Sequence, residues 1–206
     1  MSRAIFLGSF NPPHKGHSTC LKTVIDSGFM ESLGIDKIHV IPCWQNPNKK
    51  GYEVCFINRY LMCIKMFSDM LAEGKVLVDD IENMEKPQYT IDLISYFKSD
   101  KDTMIKKDFW WIITMETLQE IIDGKWFRWP DLLDNNFIIL YNEDDCLKDA
   151  IQLVKENKMN AVSIKIDNEI HYHSTELREK IKTGQDIIEE TNKYVQEYIE
   201  DNHLYK

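Results

Sequence analysis

Two histidines three residues apart, His14 and His17, lie in the segment Gly8-Ser9-Phe10-Asn11-Pro12-Pro13-His14-Lys15-Gly16-His17. At neutral pH an imidazole can donate a hydrogen bond, exchange a proton or ligate a metal. A zinc site needs a third and fourth ligand at suitable spacing, and none stands nearby in the sequence. Two other readings stay open: histidines that cap a helix and pack, or histidines that donate to the oxygens of a bound phosphate. Pro12 and Pro13 stiffen the segment, and Gly16 lets the backbone pass close to a ligand. His17 falls near the start of a helical pattern, where free N–H groups and the helix dipole attract anions.

A second segment carries similar chemistry. Ser174 and Thr175 stand where helix-capping hydroxyls belong, Arg178 follows one turn later, and Gly184 marks a C-terminal stop. An ordinary capped surface helix accounts for it. So does a second helix N-terminus aimed at the same anion, with Arg178 reaching the outer phosphates.

The elements that must position these residues follow one pattern. Short, nearly continuous apolar runs at 4–8, 37–42, 75–80, 109–114, 137–141 and 161–166 read as strands, each followed by a helical pattern. Strands of that kind are buried on both faces, so the expectation is an α/β fold, a mostly parallel sheet flanked by helices. Ligands bind such sheets outside the carboxyl ends of the strands. Gly8 to His17, Pro42 to Lys50, Asp79 to Glu82, Thr114 to Glu116 and His173 to Arg178 all follow strands. The polar stretches 45–52 and 98–107 read as surface loops.

The chain has 206 residues, 43% of them hydrophobic, which suits one domain with a sizeable core. Its formal charge of -9 disfavours non-specific binding to nucleic acid, so an anionic ligand must be held by a local positive cluster. No apolar run approaches the ~20 residues that cross a bilayer, and the first residues lack a secretory pattern. The five cysteines form no C-x-x-C pair, which predicts reduced thiols in a cytoplasm and no zinc.

The segment Gly8 to His17 resembles the signature of nucleotidyltransferases that carry an H-x-G-H or T-x-G-H motif after the first strand. The resemblance implies a Rossmann-like nucleotidyltransferase fold over 1–206, whose helical part from about 170 to 206 closes the ATP site. It implies that His14, His17 and Arg178 are catalytic, and that Gly8, Ser9, Phe10, Lys15, Gly16, Ser174 and Thr175 bind ATP. The segment 173–178 is similar to the family's S-S-T-x-[IL]-R, with His173 in place of the first serine.

The middle of the chain resembles nicotinate-nucleotide adenylyltransferases. Gln88-Tyr89-Thr90-Ile91-Asp92 is similar to S-Y-T-[IF]-D, and Pro42, Pro47 and Lys49 match a proline-rich loop. Arg59 matches an arginine after that loop, and Trp126 a tryptophan that stacks on the pyridine base. This implies an acceptor, nicotinate or nicotinamide mononucleotide, held by Asn11, Lys49, Tyr89, Thr90, Glu116 and Trp126. ATP is the donor, and Mg²⁺ accompanies it. Where the family has G-A-D after the fourth strand, this chain has Thr114-Met115-Glu116. Phosphopantetheine or cytidylyl transfer and a non-catalytic nucleotide-binding module are the competing expectations. The oligomeric state is not set by the pattern, and a homo-oligomer is compatible with it.

Overall fold

The computed structural model describes residues 2–45, 53–81, 89–99, 109–142, 147–166 and 172–206. The apolar runs form strands β1 (Ser2–Gly8), β2 (Ile35–Pro42), β3 (Val76–Val78), β4 (Phe109–Thr114), β5 (Asn136–Tyr141) and β6 (Asn160–Lys165). The helices are α1 (Lys15–Asp26), α2 (Phe29–Ser32), α3 (Phe56–Met66), α4 (Ser68–Ala72), α5 (Thr90–Ser99), α6 (Met115–Ile122), α7 (Trp129–Leu132), α8 (Leu147–Glu156), α9 (Ser174–Lys182) and α10 (Lys193–Asp201).

The strands make one six-stranded sheet in the order β3-β2-β1-β4-β5-β6. β1 runs parallel to β4, β4 to β5 and β5 to β6, with Ala4 opposite Trp110 and Trp111 opposite Phe137. The chain winds outward from β1 through β2 to β3, then restarts on the other side of β1 with β4. That reversal is the Rossmann order, and its switch point lies at the carboxyl end of β1. The loop that bears His14 and leads into α1 starts there.

The chain divides into two compact units. One comprises Met1–Phe6, Thr23–His39 and Tyr89–Asn168. Its core is Ile5, Trp111, Ile112, Leu118, Phe137 and Ile138, all buried. The other comprises Leu7–Lys22, Val40–Gln88 and Glu169–Lys206. There α3 packs on α10 through buried Met62, Cys63, Val195 and Ile199. The Tyr198 hydroxyl donates to Asn58 Oδ1 at 2.9 Å along the same seam. Asn192 caps α10 by accepting from the Val195 N–H, and its amide donates to Lys65 O.

Three departures from expectation have local causes. α1 begins at Lys15 and not near His17, because the N–H groups of His17 and Ser18 both donate to His14 O. The helical pattern that the sequence carries across 57–71 divides at Phe67, whose ring is buried at the junction and whose backbone leaves helical geometry at φ -104, ψ 17. Short α2 and α7 each follow a residue in the left-handed region, Gly28 and Arg128, which re-aims the chain. Most of 45–52 and 98–107 lies outside the described residues.

Candidate functional site

β1 delivers the chain to Gly8, whose carbonyl accepts from the Cys43 N–H at 2.9 Å. Two residues on, Phe10 adopts φ 46 and is only 1% exposed. A left-handed conformation in a bulky residue costs about 1–3 kcal/mol and persists only where the surroundings over-determine it. The surroundings here are tight. A Cβ added at Gly8 would stand 2.9 Å from Phe10 Cζ. The same ring meets His17 edge-on at 4.9 Å and Phe67 at 6.1 Å. The Phe10 side chain is thus a buried floor beneath the histidine segment, and Gly8 is glycine because that floor leaves no room.

The imidazoles of His14 and His17 lie 3.7 Å apart between centroids, tilted by 31°. The His14 N–H donates to His17 Nδ1 at 3.1 Å. A ring nitrogen that accepts carries no proton, so neutral His17 holds its proton on Nε2, where it can be donated to a ligand. His14 is nearly buried, and its Nδ1 has no hydrogen-bond partner among the described residues. Burial first, and the nearby His173 second, push the His14 pKa down to about 4.

That shift has a consequence for stability. The unfolded chain takes up a proton at His14 below the ordinary pKa of 6.5, and the folded chain does not until about 4. Stability contributed by this residue is therefore complete above pH 6.5 and is lost as pH falls toward 4, by about 3 kcal/mol. Denaturant titrations between pH 7 and 4 should show this slope in the wild type, and His14→Gln should flatten it.

The second segment comes to the same loop. Ser174 Oγ donates to Pro12 O at 3.0 Å. Arg178 Nη1 donates to Asn11 O at 2.8 Å, and its Nη2 donates to Thr175 Oγ1 at 3.1 Å. His173 holds the N-cap position of α9 without a side-chain capping bond. The Lys15 N–H donates to Glu190 O at 2.7 Å, and the Glu190 carboxylate pairs with Lys180. Gly16 opens the first turn of α1. Asn11 is only 5% exposed, and its Oδ1 accepts from the Tyr205 hydroxyl at 2.7 Å.

Arg59 is the residue that sequence reasoning undervalued. It is fully buried, and donates from Nη1 to Ser9 O and from Nη2 to Trp44 O, both at 2.7 Å. The signal in the sequence was a lone charge on the face of α3 that buries Phe56, Met62, Cys63 and Met66. Its guanidinium ties the loop after β1 to the loop after β2.

The residues expected to meet an acceptor include four in the other unit. Thr114 caps α6, accepting from the Thr117 N–H at 3.3 Å. Met115 joins the core and Glu116 is exposed in the first turn. Thr114-Met115-Glu116 thus makes a capped helix start. Trp126 is half-buried, its ring edge-on to Trp111 at 5.9 Å. Tyr89 is exposed with its ring 4.3 Å from Phe127, and Thr90 begins α5. Lys49 lies outside the described residues.

Among the described residues no three His, Cys, Asp or Glu side chains are grouped to hold a metal ion. Cys20, Cys43, Cys55 and Cys63 are in no disulfide. No helix among the described residues is long and apolar enough to cross a membrane.

Residues 5–180 match the model of the cytidylyltransferase-like family. Over 211 aligned residues the chain is 30% identical to a protein of Fusobacterium nucleatum subsp. nucleatum named "probable nicotinate-nucleotide adenylyltransferase", covering 99% of this chain and 100% of the relative. A protein of the same name from Thermosipho melanesiensis is 27% identical, covering 97% and 95%. Among solved structures, Plasmodium falciparum nicotinic acid mononucleotide adenylyltransferase complexed with NaAD superposes with a TM-score of 0.79 at 20% identity, over 99% of this chain and 97% of that one. At that identity the likeness speaks for the fold.

Proposed function

The chain belongs to the cytidylyltransferase-like family, and on that premise we propose that it is a nicotinate-nucleotide adenylyltransferase, making a dinucleotide and pyrophosphate for NAD biosynthesis. An oxygen of the acceptor's 5′-phosphate attacks the α-phosphorus of ATP. The bond from that phosphorus to the bridging oxygen breaks, and pyrophosphate leaves with the electron pair. A phosphate is already a sufficient nucleophile at neutral pH, so the barrier is one of alignment and charge. His17 Nε2–H and the cation of Arg178 are suited to stabilise charge as it moves toward the leaving oxygens. Lys15, Gly16, Ser174, Thr175 and the turn Gly8–Phe10 frame the triphosphate.

The observation that carries this reading is the hydrogen bond from Arg178 to the Asn11 carbonyl. It brings the start of α9 to the loop that bears His14 and leads into α1, whose first turn carries His17. Mg²⁺, held by phosphate oxygens and water, would neutralise triphosphate charge.

We assign the acceptor to Asn11, Lys49, Tyr89, Thr90, Glu116 and Trp126, and nicotinate mononucleotide is the acceptor that the relatives' names favour. Residues 1–206 act as one catalytic domain, with the part from about 170 closing the ATP site, in a cytoplasmic enzyme. The test is pyrophosphate release on mixing the protein with ATP, Mg²⁺ and either nicotinate or nicotinamide mononucleotide. Release with nicotinate mononucleotide supports the reading. No release with either, while CTP or a phosphopantetheine acceptor reacts, overturns it. Trp126→Ala should raise the acceptor KM about tenfold, the loss of a stacked ring being worth about 1–1.5 kcal/mol, with the ATP KM unchanged. An unchanged acceptor KM would return Trp126 to packing alone.

A further inference from the structure

Tyr205 is not needed by the chemistry just described, yet it is 4% exposed and takes φ 63, a left-handed backbone that an aromatic residue seldom adopts. Its hydroxyl spends its donor on one acceptor, Asn11 Oδ1, 2.7 Å away and 194 residues earlier in the chain. The Asn11 carbonyl is held by Arg178, and the carbonyl of Ser9 by Arg59. Burial pushes the phenol's pKa upward, outweighing the two guanidiniums, which pull it down. The hydroxyl therefore stays protonated, a donor throughout the working pH range.

Three distant side chains thus converge on the short stretch Ser9–Asn11. Arginines hold the carbonyls at its two ends, and Tyr205 holds the side chain of Asn11. We propose that Tyr205 is a positioning residue: by keying Asn11, it fixes the turn from which His14 and His17 spring, so that their spacing is set before substrate arrives. Two independent observations point the same way. Phe10 within that stretch is held left-handed and buried, a state that needs external bracing. Tyr205 itself sits in a sparsely populated backbone region, which a purely apolar plug would not require.

The consequence for the reaction rests on the proposed adenylyl transfer; the bracing does not. Tyr205→Phe keeps the ring and its packing and removes only the donor. Amide hydrogen exchange of a peptide spanning Ser9–His17 should accelerate about tenfold in this variant, as expected for the loss of one buried hydrogen bond. A peptide spanning β5 should not change. With nicotinate mononucleotide and ATP, kcat should fall about tenfold, while both KM values move less than about threefold. Asn11→Ala should give the same acceleration, and Tyr205→Phe should add nothing in that background.

Unchanged exchange in the loop, or losses that add across the two substitutions, would overturn the proposal. A rise in the ATP KM with kcat preserved would also overturn it, since it would make Tyr205 a binding group. Loop exchange that behaves as expected in a wild type making no dinucleotide upholds the brace and removes the adenylyl-transfer reading.

Discussion

His17→Ala is expected to lower kcat about 10²–10³-fold, the usual cost of removing one preorganised donor from a developing anion. The His14 N–H fixes His17 Nδ1 as an acceptor and leaves the proton on Nε2. Alanine removes that donor and the Nδ1 acceptor together. The second loss resembles the loss of a helix cap, about 1 kcal/mol of stability. His17→Asn separates the two, because its side-chain oxygen can still accept from the His14 N–H while nothing replaces Nε2–H. Single-turnover rates for both variants, with thermal unfolding in parallel, test the point. Similar rate losses with stability restored in the asparagine variant would match expectation. A wild-type rate in His17→Asn would remove the imidazole from the reaction.

Arg178 is the second residue on which most depends. Its guanidinium already gives one N–H to Asn11 O and another to Thr175 Oγ1, and a fork with five donors has others to offer phosphate. Arg178→Lys keeps the charge and loses the fork. Lysine cannot hold the loop carbonyl and reach an anion with the same geometry, so kcat/KM for ATP should fall about 10²-fold even with charge conserved. Arg178→Ala should fall further. A lysine variant close to wild type would mean that charge alone matters and that the Asn11 contact is incidental. Steady-state kinetics at varied ATP, with saturating acceptor, make the comparison.

Much of the fold could be read from the sequence for a simple reason. Runs such as Phe109–Thr114 and Asn136–Tyr141 are apolar without alternation, which a strand buried on both faces requires, and a helix follows each. The break at Phe67 could not be read, because the helical pattern runs unbroken through it and only tertiary packing of the buried ring divides α3 from α4. The residues proposed as catalytic, His14, His17 and Arg178, stand out in the sequence by type and position. The role of Phe10 does not: nothing in the residue name tells of a left-handed backbone and a ring lodged beneath Gly8. The bonds from Arg59 to Ser9 and from Tyr205 to Asn11 span 50 and 194 residues, and local spacing carries no trace of pairings at that range. Thr114 stands where the resembled family has a glycine, and its role as a cap is revealed only by the start of α6 at Met115.

The carbonyls of the histidine loop have a collective effect. Those of Gly8, Ser9, Asn11, Pro12 and His14 are each taken by a donor: the Cys43 N–H, Arg59, Arg178, Ser174, and the first turn of α1. Each bond engages a carbonyl oxygen that would otherwise repel an approaching oxyanion with both of its lone pairs. Within a protein of net charge -9, such a lining would favour the phosphates of the proposed nucleotide over a bare cation.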